Sequence, residues 1–140
     1  MKILVAIDGS KYSQKALEKT KEVASVFGSE VTILTVIEPH KDVSRVHQNR
    51  MKEVLSDIAF NEGEDILRKA AEFFKDFTGT FNTIHKIGDP ADQIVSLAED
   101  EDYDLVIMGS RGRGVFARTL LGSVSDKVVH HITKSILIVK

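Results

Sequence analysis

The sequence predicts a three-layer α/β sandwich built on a five-stranded parallel sheet of order 3-2-1-4-5. Short apolar runs alternate with longer stretches of helical periodicity, in the order βαβαβαβαβ. Strict alternation with helical crossovers is typical of a parallel sheet covered by helices on both faces. The run Ile3 to Ile7 is almost entirely apolar and branched, which is typical of a strand buried on both sides.

Composition narrows the classes of function. With 140 residues, we expect a single domain spanning 1–140. The net charge of −2 gives no overall attraction to nucleic acid or to an anionic membrane. The chain has no cysteine, which excludes disulfides and cysteine nucleophiles and fits a reducing cytoplasm. No segment approaches the ~20 apolar residues of a membrane span. We therefore expect a cytoplasmic protein that binds neither nucleic acid nor membrane.

The first third of the chain contains two strands and one helix. The strand Ile3 to Ile7 is followed by Ser10, a suitable N-cap for a helix that ends at Gly28. A second strand is predicted from Val31 to Ile37. The polar, aperiodic stretch His40 to Asn49 is interpreted as a loop or lid.

A long helical pattern then runs from Met51 to Phe77, and Gly79 ends it. Gly63 interrupts the pattern and is a candidate point for a kink or a division, because an interior glycine costs about 1 kcal/mol relative to alanine. Phe81 to Ile87 alternates apolar and polar residues, as a half-exposed edge strand does.

Asp89 followed by Pro90 predicts the start of the next helix. The acidic run Glu99 to Asp102 is interpreted as a solvated turn. Leu105 to Met108 is the fourth predicted strand. A last helix and a final strand, Ile136 to Val139, complete the pattern.

The fourth strand leads into a glycine-rich loop with Gly109, Gly112 and Gly114, followed by Gly122 and Ser123 at a helix start. Many folds hold a phosphate in this way, because glycine allows close backbone approach and the helix N-terminus offers unpaired N–H groups. No lysine precedes the serine, so the loop is not a Walker A motif, and the order G-x-x-G-x-G differs from the dinucleotide fingerprint. A flexible surface loop is the alternative, but the position between a buried strand and a helix favours a phosphate site.

The predicted strand order places strand 1 beside strand 4, so that Asp8 and Gly109 flank one crevice. Asp8 could accept hydrogen bonds from ribose hydroxyls or could cap the first helix or turn. Ser123 and Ser125 offer hydroxyl and N–H groups to a phosphate, and the alternative for Ser123 is capping alone. These residues predict a site for a phosphate-bearing ligand at the carboxyl edge of the sheet.

Two parts of the sequence resemble those of a known family. The run Val5-Ala6-Ile7-Asp8-Gly9-Ser10, with Ser13 and Ala16 behind it, is similar to the opening of universal stress proteins. The arrangement G-x2-G-x9-G-[ST] on Gly109, Gly112, Gly122 and Ser123 resembles the ATP-binding motif of that family. The resemblance extends over essentially the whole chain.

The resemblance implies a Rossmann-like (adenine nucleotide alpha hydrolase-like) sandwich that binds ATP, or AMP or ADP, with Mg²⁺ or Mn²⁺ held through the phosphates. It implies that Asp8 lies near the ribose and that Ile7, Val36 and Met108 line the adenine. It implies no catalytic residue and no protein metal site. The expected nucleotide-binding residues are Ile7, Asp8, Val36, Met108, Gly109, Ser110, Arg111, Gly112, Arg113, Gly114, Val115, Gly122, Ser123, Val124 and Ser125.

Three functions compete. The first is a nucleotide-dependent regulatory or signalling module in the stress response, whose state is detected by an unidentified protein partner. The second is slow ATP hydrolysis or phosphoryl transfer, which needs positive charge on the γ-phosphate and a group that positions the nucleophile. Arg111 and Arg113 could clamp phosphates or could point to solvent, and no residue of the loop is an evident base for water. The third is a flavodoxin-like receiver or flavin carrier. A receiver needs an acidic pocket and a lysine after the last strands, where this chain has glycine and arginine, and a flavin carrier would be yellow.

The resemblance also implies a homodimer, and the apolar run Ile136 to Val139 supplies a physical reason. This strand lies at a sheet edge in the predicted order, and an uncovered apolar edge invites pairing with another chain. We expect two copies to pair through it about a two-fold axis. The alternative is a short edge strand shielded by its own last helix. Ser135 stands where the family often has proline, so the resemblance supports the dimer but not its geometry.

Overall fold

The computed structural model describes residues 1–39, 49–113 and 120–140. Strands and helices alternate strictly within these ranges, as the sequence pattern predicts. The elements are β1 (Lys2–Ile7), α1 (Lys11–Phe27), β2 (Glu30–Ile37), α2 (Asn49–Phe73), β3 (Phe81–Ile87), α3 (Pro90–Asp100), β4 (Leu105–Gly109), α4 (Ser123–His131) and β5 (Ser135–Val139).

The strands form one parallel sheet of order β3-β2-β1-β4-β5, which confirms the predicted topology. β1 lies at the centre and pairs with β2 on one side and β4 on the other. Ala6 is the register partner of Met108, so the carboxyl ends of β1 and β4 lie side by side. The residues that follow these two strands therefore meet at one edge of the sheet, although about a hundred positions separate them.

Each face of the sheet is covered by a pair of helices. Alternate side chains of β1 enter opposite cores: Ile3 and Val5 pack with α1 and α2, whereas Leu4 packs with α3 and α4. All three side chains are fully buried. Burial on both faces explains why the sequence from Ile3 to Ile7 is continuously apolar and does not alternate between apolar and polar residues.

The helix ends have the expected caps. Ser10 accepts a hydrogen bond from the N–H of Ser13, and Gly28 ends α1 in the left-handed conformation with φ of 59°. Asp89 caps α3 by accepting the N–H of Asp92 at 3.0 Å, with Pro90 in the first turn. This backbone hydrogen bond, and then the Lys127 ammonium, hold the pKa of Asp89 below its usual value. α3 thus begins at a fixed position beside the carboxyl edge of the sheet.

The long helix differs from the sequence expectation. α2 continues through Gly63 without a division and ends at Phe73, well before Gly79. Gly63 lies against His85 of β3, and a Cβ added to the glycine would overlap the imidazole ring. The missing side chain at position 63 therefore allows close helix–sheet contact and does not interrupt the helix.

His85 fills the space that Gly63 leaves. Its side chain is only 7% exposed, and its Nδ1 lies 3.4 Å from the carboxylate of Glu64. The ring of Phe60 lies over it, with ring centroids 5.1 Å apart. Neither ring nitrogen has a hydrogen-bond partner among the described residues. The contact fixes the middle of α2 against the sheet.

The two outer strands form the edges of the sheet. β3 is partly exposed, as its alternating sequence predicts. β5 pairs with β4 and with no other strand of the described chain, and the side chains Ile136 to Val139 are all only partly buried. Within the described ranges, no helix is long and apolar enough to cross a membrane. Most of the predicted lid, residues 40–48, lies outside the described residues.

We expect Gly63→Ala to destabilise the fold, although alanine is the better helix former. Overpacking against the buried His85 ring costs about 1–3 kcal/mol, more than the gain in helix propensity of about 1 kcal/mol. Urea denaturation measures the net change. In a His85→Ala background the same substitution should become neutral or stabilising, because the overlap is gone. Stabilisation by Gly63→Ala in the wild-type background would contradict this explanation.

Candidate functional site

A cavity of about 520 Å³ opens at the carboxyl edge of the sheet, where β1 and β4 end side by side. It contains most of the residues expected to bind a nucleotide. Ser110 lies just behind the lining, and Gly114 and Val115 fall outside the described residues. The predicted residues that line the cavity are Ile7, Asp8, Val36, Met108, Gly109, Arg111, Gly112, Arg113, Gly122, Ser123, Val124 and Ser125.

One part of the cavity is apolar. Ile7 and Met108 contribute from the ends of the central strands, where they are 7% and 5% exposed. Val36 contributes from β2, and Pro90 and Ile94 contribute from the start of α3. Apolar surfaces on the strands and on a helix provide the surroundings that a flat aromatic ring requires.

Asp8 follows β1 and makes a tight turn with its neighbours. Its Oδ1 accepts the N–H of Ser10 at 2.9 Å, and Gly9 adopts a φ of 81° that favours glycine. The other oxygen, Oδ2, faces the glycine loop, because a Cβ on Gly112 would lie 2.7 Å from it. Asp8 therefore stabilises the turn with one oxygen and presents the other towards the loop.

The first glycine of the loop has a packing role. A Cβ on Gly109 would lie 2.8–2.9 Å from the backbone of Tyr12, so the missing side chain lets α1 approach β4. A side chain here would push the helix away, whether or not a ligand is bound. Gly109 accordingly contributes to the site through its backbone position at the end of β4.

Ser110 joins three elements at the base of the loop. Its N–H donates to the carbonyl of Val139 at 2.8 Å. Its own carbonyl accepts the N–H of Gly122 at 2.7 Å and the hydroxyl of Ser125 at 2.8 Å. Ser110 is 3% exposed, so these bonds lie away from water. They hold both ends of the loop together and fix the start of α4 beside β4.

α4 starts without a side-chain cap. Gly122 is the N-cap residue, so Ser123 is not a capping residue and lies in the first turn. The first intrahelical hydrogen bond runs from Asp126 N–H to the Gly122 carbonyl. The N–H groups of residues 123–125 precede it and have no acceptor within the helix. Unpaired N–H groups and the positive end of the helix dipole favour an anion at this point.

The hydroxyl of Ser125 is engaged in hydrogen bonds within the protein. It donates to the carbonyls of Ser110 and Gly122, at 2.8 and 3.1 Å, and the residue is 2% exposed. Its proton is thus engaged within the protein. In this structure Ser125 offers a ligand its backbone N–H, while the exposed Ser123 offers both a hydroxyl and an N–H.

The two arginines of the loop take different directions. The guanidinium of Arg111 lies 6.0 Å from the ring centroid of Tyr12 on α1. Arg113 forms an ion pair with Glu62 of α2 and passes over Gly9, where a Cβ would lie 3.0 Å from Nη2. Arg113 therefore links the loop to the long helix at the wall of the cavity.

Sequence reasoning missed several residues of the lining. Pro90 and Ile94 could have been inferred, because α3 begins directly after β3 at the same edge of the sheet. Glu62 carries no such signal, since it is one of many acidic residues on a long helix. The lining residues outside the expected set are Ala6, Ser13, Leu34, Ile37, Glu38, Pro39, Glu62, Pro90 and Ile94.

The arrangement combines an apolar slot, a carboxylate and a cluster of N–H groups that have no acceptor within α4. These are the groups that contact a base, a sugar hydroxyl and a phosphate, respectively. No group of three or more potential metal ligands occurs among the residues that the structure describes. The chemistry of the cavity therefore fits a nucleotide.

Comparison with known proteins agrees with this geometry. The family described as the universal stress protein family matches residues 1–140. A universal stress protein of Methanothermobacter thermautotrophicus is 34% identical over 145 residues, covering 99% of this chain and 94% of the relative.

Two solved structures extend the likeness to three dimensions. The Methanocaldococcus jannaschii protein MJ0577 has a TM-score of 0.88 and 30% identity, over 99% of this chain and 94% of that one. A universal stress protein in complex with cAMP has a TM-score of 0.74 and 29% identity, over 100% and 97%. The chain therefore belongs to the universal stress protein family.

Proposed function

We propose that this chain is a single-domain ATP-binding universal stress protein that acts as a nucleotide-dependent regulatory module. One observation carries the proposal. A single cavity joins an apolar slot, the Asp8 carboxylate and the uncapped start of α4. A relative of similar fold is bound to cAMP, which supports an adenine nucleotide as the ligand.

In the proposed complex the adenine lies in the slot formed by Ile7, Val36 and Met108. The ribose hydroxyls donate to Asp8, whose Oδ2 does not take part in the turn with Ser10. The phosphates lie along residues 109–113 and 122–125, where backbone N–H groups supply most of the donors. Gly114 and Val115 follow in the sequence and remain predicted contacts.

A binding role agrees better with the placement of Asp8 than a hydrolytic one does. Its Oδ1 accepts the Ser10 N–H, and in the proposed complex its Oδ2 binds the ribose and not the γ-phosphate. A general base must be able to reach and accept the proton of the attacking water.

A nucleotide that binds one conformation of the loop more tightly shifts the population of the protein towards that conformation. We propose that an unidentified protein in the cytoplasm detects that conformation during stress.

We further propose that the module is a homodimer formed through β5. Val139 directs its carbonyl towards Ser110 of the β4 side. Successive residues of a strand direct their backbone groups to opposite sides. The N–H and C=O groups of Ile136 and Ile138 therefore face outwards at the free edge, where a second copy can pair with them.

The proposed site is tested by Gly122→Val. A side chain at this position would crowd the Cα of Arg111, which lies 3.2 Å from the Cβ position, and would displace the N–H groups of α4. We expect ATP binding to weaken roughly ten- to hundredfold, the effect of losing a hydrogen bond to a charged group. Gly112→Val should act similarly by displacing Asp8. Isothermal titration calorimetry measures both.

Gly28→Ala provides the control. It forces a side chain into a positive φ at the far end of α1, at a cost of about 1–2 kcal/mol, and so destabilises the protein away from the cavity. It should keep wild-type affinity for ATP. Wild-type affinity in both loop variants would disprove the assignment of the phosphates to this loop.

We expect Mg²⁺ or Mn²⁺ to strengthen ATP binding, because the cation offsets the charge of adjacent phosphates and needs few protein ligands. The affinity for AMP, which has a single phosphate, should rise much less when the cation is added. Titrations of each nucleotide with and without the cation measure the difference. Tight Mn²⁺ binding by the nucleotide-free protein would show instead that the chain itself holds the metal.

Ile138→Pro should convert the proposed dimer to a monomer, because proline removes an N–H from the free edge of β5. Sedimentation velocity at micromolar concentration measures the change. Ile138→Ala is the matched control: it removes similar apolar contacts but keeps the N–H, and should remain dimeric. A monomeric wild-type protein, with or without ATP, would refute dimerisation through this strand.

A further inference from the structure

Glu62 lines the site at a position that no sequence pattern predicts. It lies in the middle of α2 and forms an ion pair with Arg113 of the glycine loop, 51 positions further along the chain. Both residues line the main cavity. The pair therefore connects two elements that bound the proposed nucleotide site.

The helix holds Glu62 in this position. The next residue, Gly63, lies directly against the buried ring of His85, and Glu64 approaches the same ring. This contact fixes the rotation and height of α2 against the sheet. Glu62 is consequently presented to the loop by a rigid element, whereas Arg113 reaches it from a loop.

Arg113 is one of the few cations available to a bound phosphate. Among the described residues that line the cavity, Arg111 and Arg113 are the cations, and Asp8, Glu38 and Glu62 are the carboxylates. Arginine binds a phosphate well because its planar N–H groups can make two parallel hydrogen bonds. While Arg113 is paired with Glu62, those N–H groups are engaged by a carboxylate of the protein.

The pair is weak enough to be exchanged. The side chains of Arg113 and Glu62 are 52% and 39% exposed, and ion pairs in such contact with water contribute little to stability. A second cavity of about 210 Å³ lies between α1 and α2 and is lined by both residues, by Lys69 and by Asp65, which is paired with Lys69 at 3.2 Å. It gives the displaced carboxylate a polar space beside an existing ion pair.

We propose that Glu62 is a specificity-determining residue of the nucleotide site, which competes with the nucleotide's phosphates for Arg113. This inference rests on the proposed function. Ligands whose phosphates reach Arg113 must displace Glu62, whereas adenosine does not. Glu62 thus sets how strongly the site favours ATP over nucleotides with fewer phosphates.

The test is a double-mutant cycle read by calorimetry with ATP, AMP and adenosine. Glu62→Gln keeps the shape of the side chain but removes its charge. It should raise the affinity for ATP roughly two- to fivefold, the range of a weak surface ion pair. Adenosine binding should not change. In an Arg113→Gln background the same substitution should not change the affinity for ATP, because there is no arginine for Glu62 to occupy.

Glu72→Gln is the matched control, since it removes the same charge ten residues away on the same helix, from an exposed pair with Lys75. It should leave the affinity for ATP unchanged. An unchanged affinity in Glu62→Gln would overturn the inference, and so would a gain that persists without Arg113, which would indicate general repulsion. If the wild-type protein bound no adenine nucleotide, the proposed function itself would fail, and this inference with it.

Discussion

The pairing of β1 with β4 is the constraint on which the rest of the structure depends. It places Ala6 beside Met108, and so brings the turn after β1 and the loop after β4 to one edge of the sheet. Asp8 meets Gly112 only because of this pairing. The helices that cover the two faces then supply walls of the cavity, and the carboxylate and the phosphate loop come from opposite halves of the chain.

The glycines of the loop do not share a single purpose. Gly109 is required by the packing of α1, whereas Gly112 makes room for the Asp8 carboxylate. Gly122 caps α4 without a side chain, so the first N–H groups of the helix receive no hydrogen bond from an N-cap side chain. A spacing that resembles one ligand-binding motif therefore combines a packing requirement, a close approach between loops and an electrostatic site. Substitutions at these positions should not be interpreted as one class.

Strand order and the floor of the cavity could be predicted from the sequence, because buried parallel strands and their caps have local signatures. The continuous α2 could not, since the reason for Gly63 is the ring of His85 on another element. The capping role considered for Ser123 was wrong because the preceding glycine already occupies the N-cap position. The position of Glu62 in the site could not be predicted for a related reason. Helical periodicity does not show which acidic residue of a helix faces an arginine that is distant in the sequence.

The central position of β1 has a consequence for how the chain is made. β1 is synthesised early, but its partner β4 follows about a hundred residues later. At ordinary rates of translation one edge of this strand stays unpaired for roughly 5 to 20 s. The backbone N–H and C=O groups of that edge are then open to any other nascent strand. The demand for chaperones during synthesis should consequently fall on the first half of the chain, and it should end when β4 emerges from the ribosome.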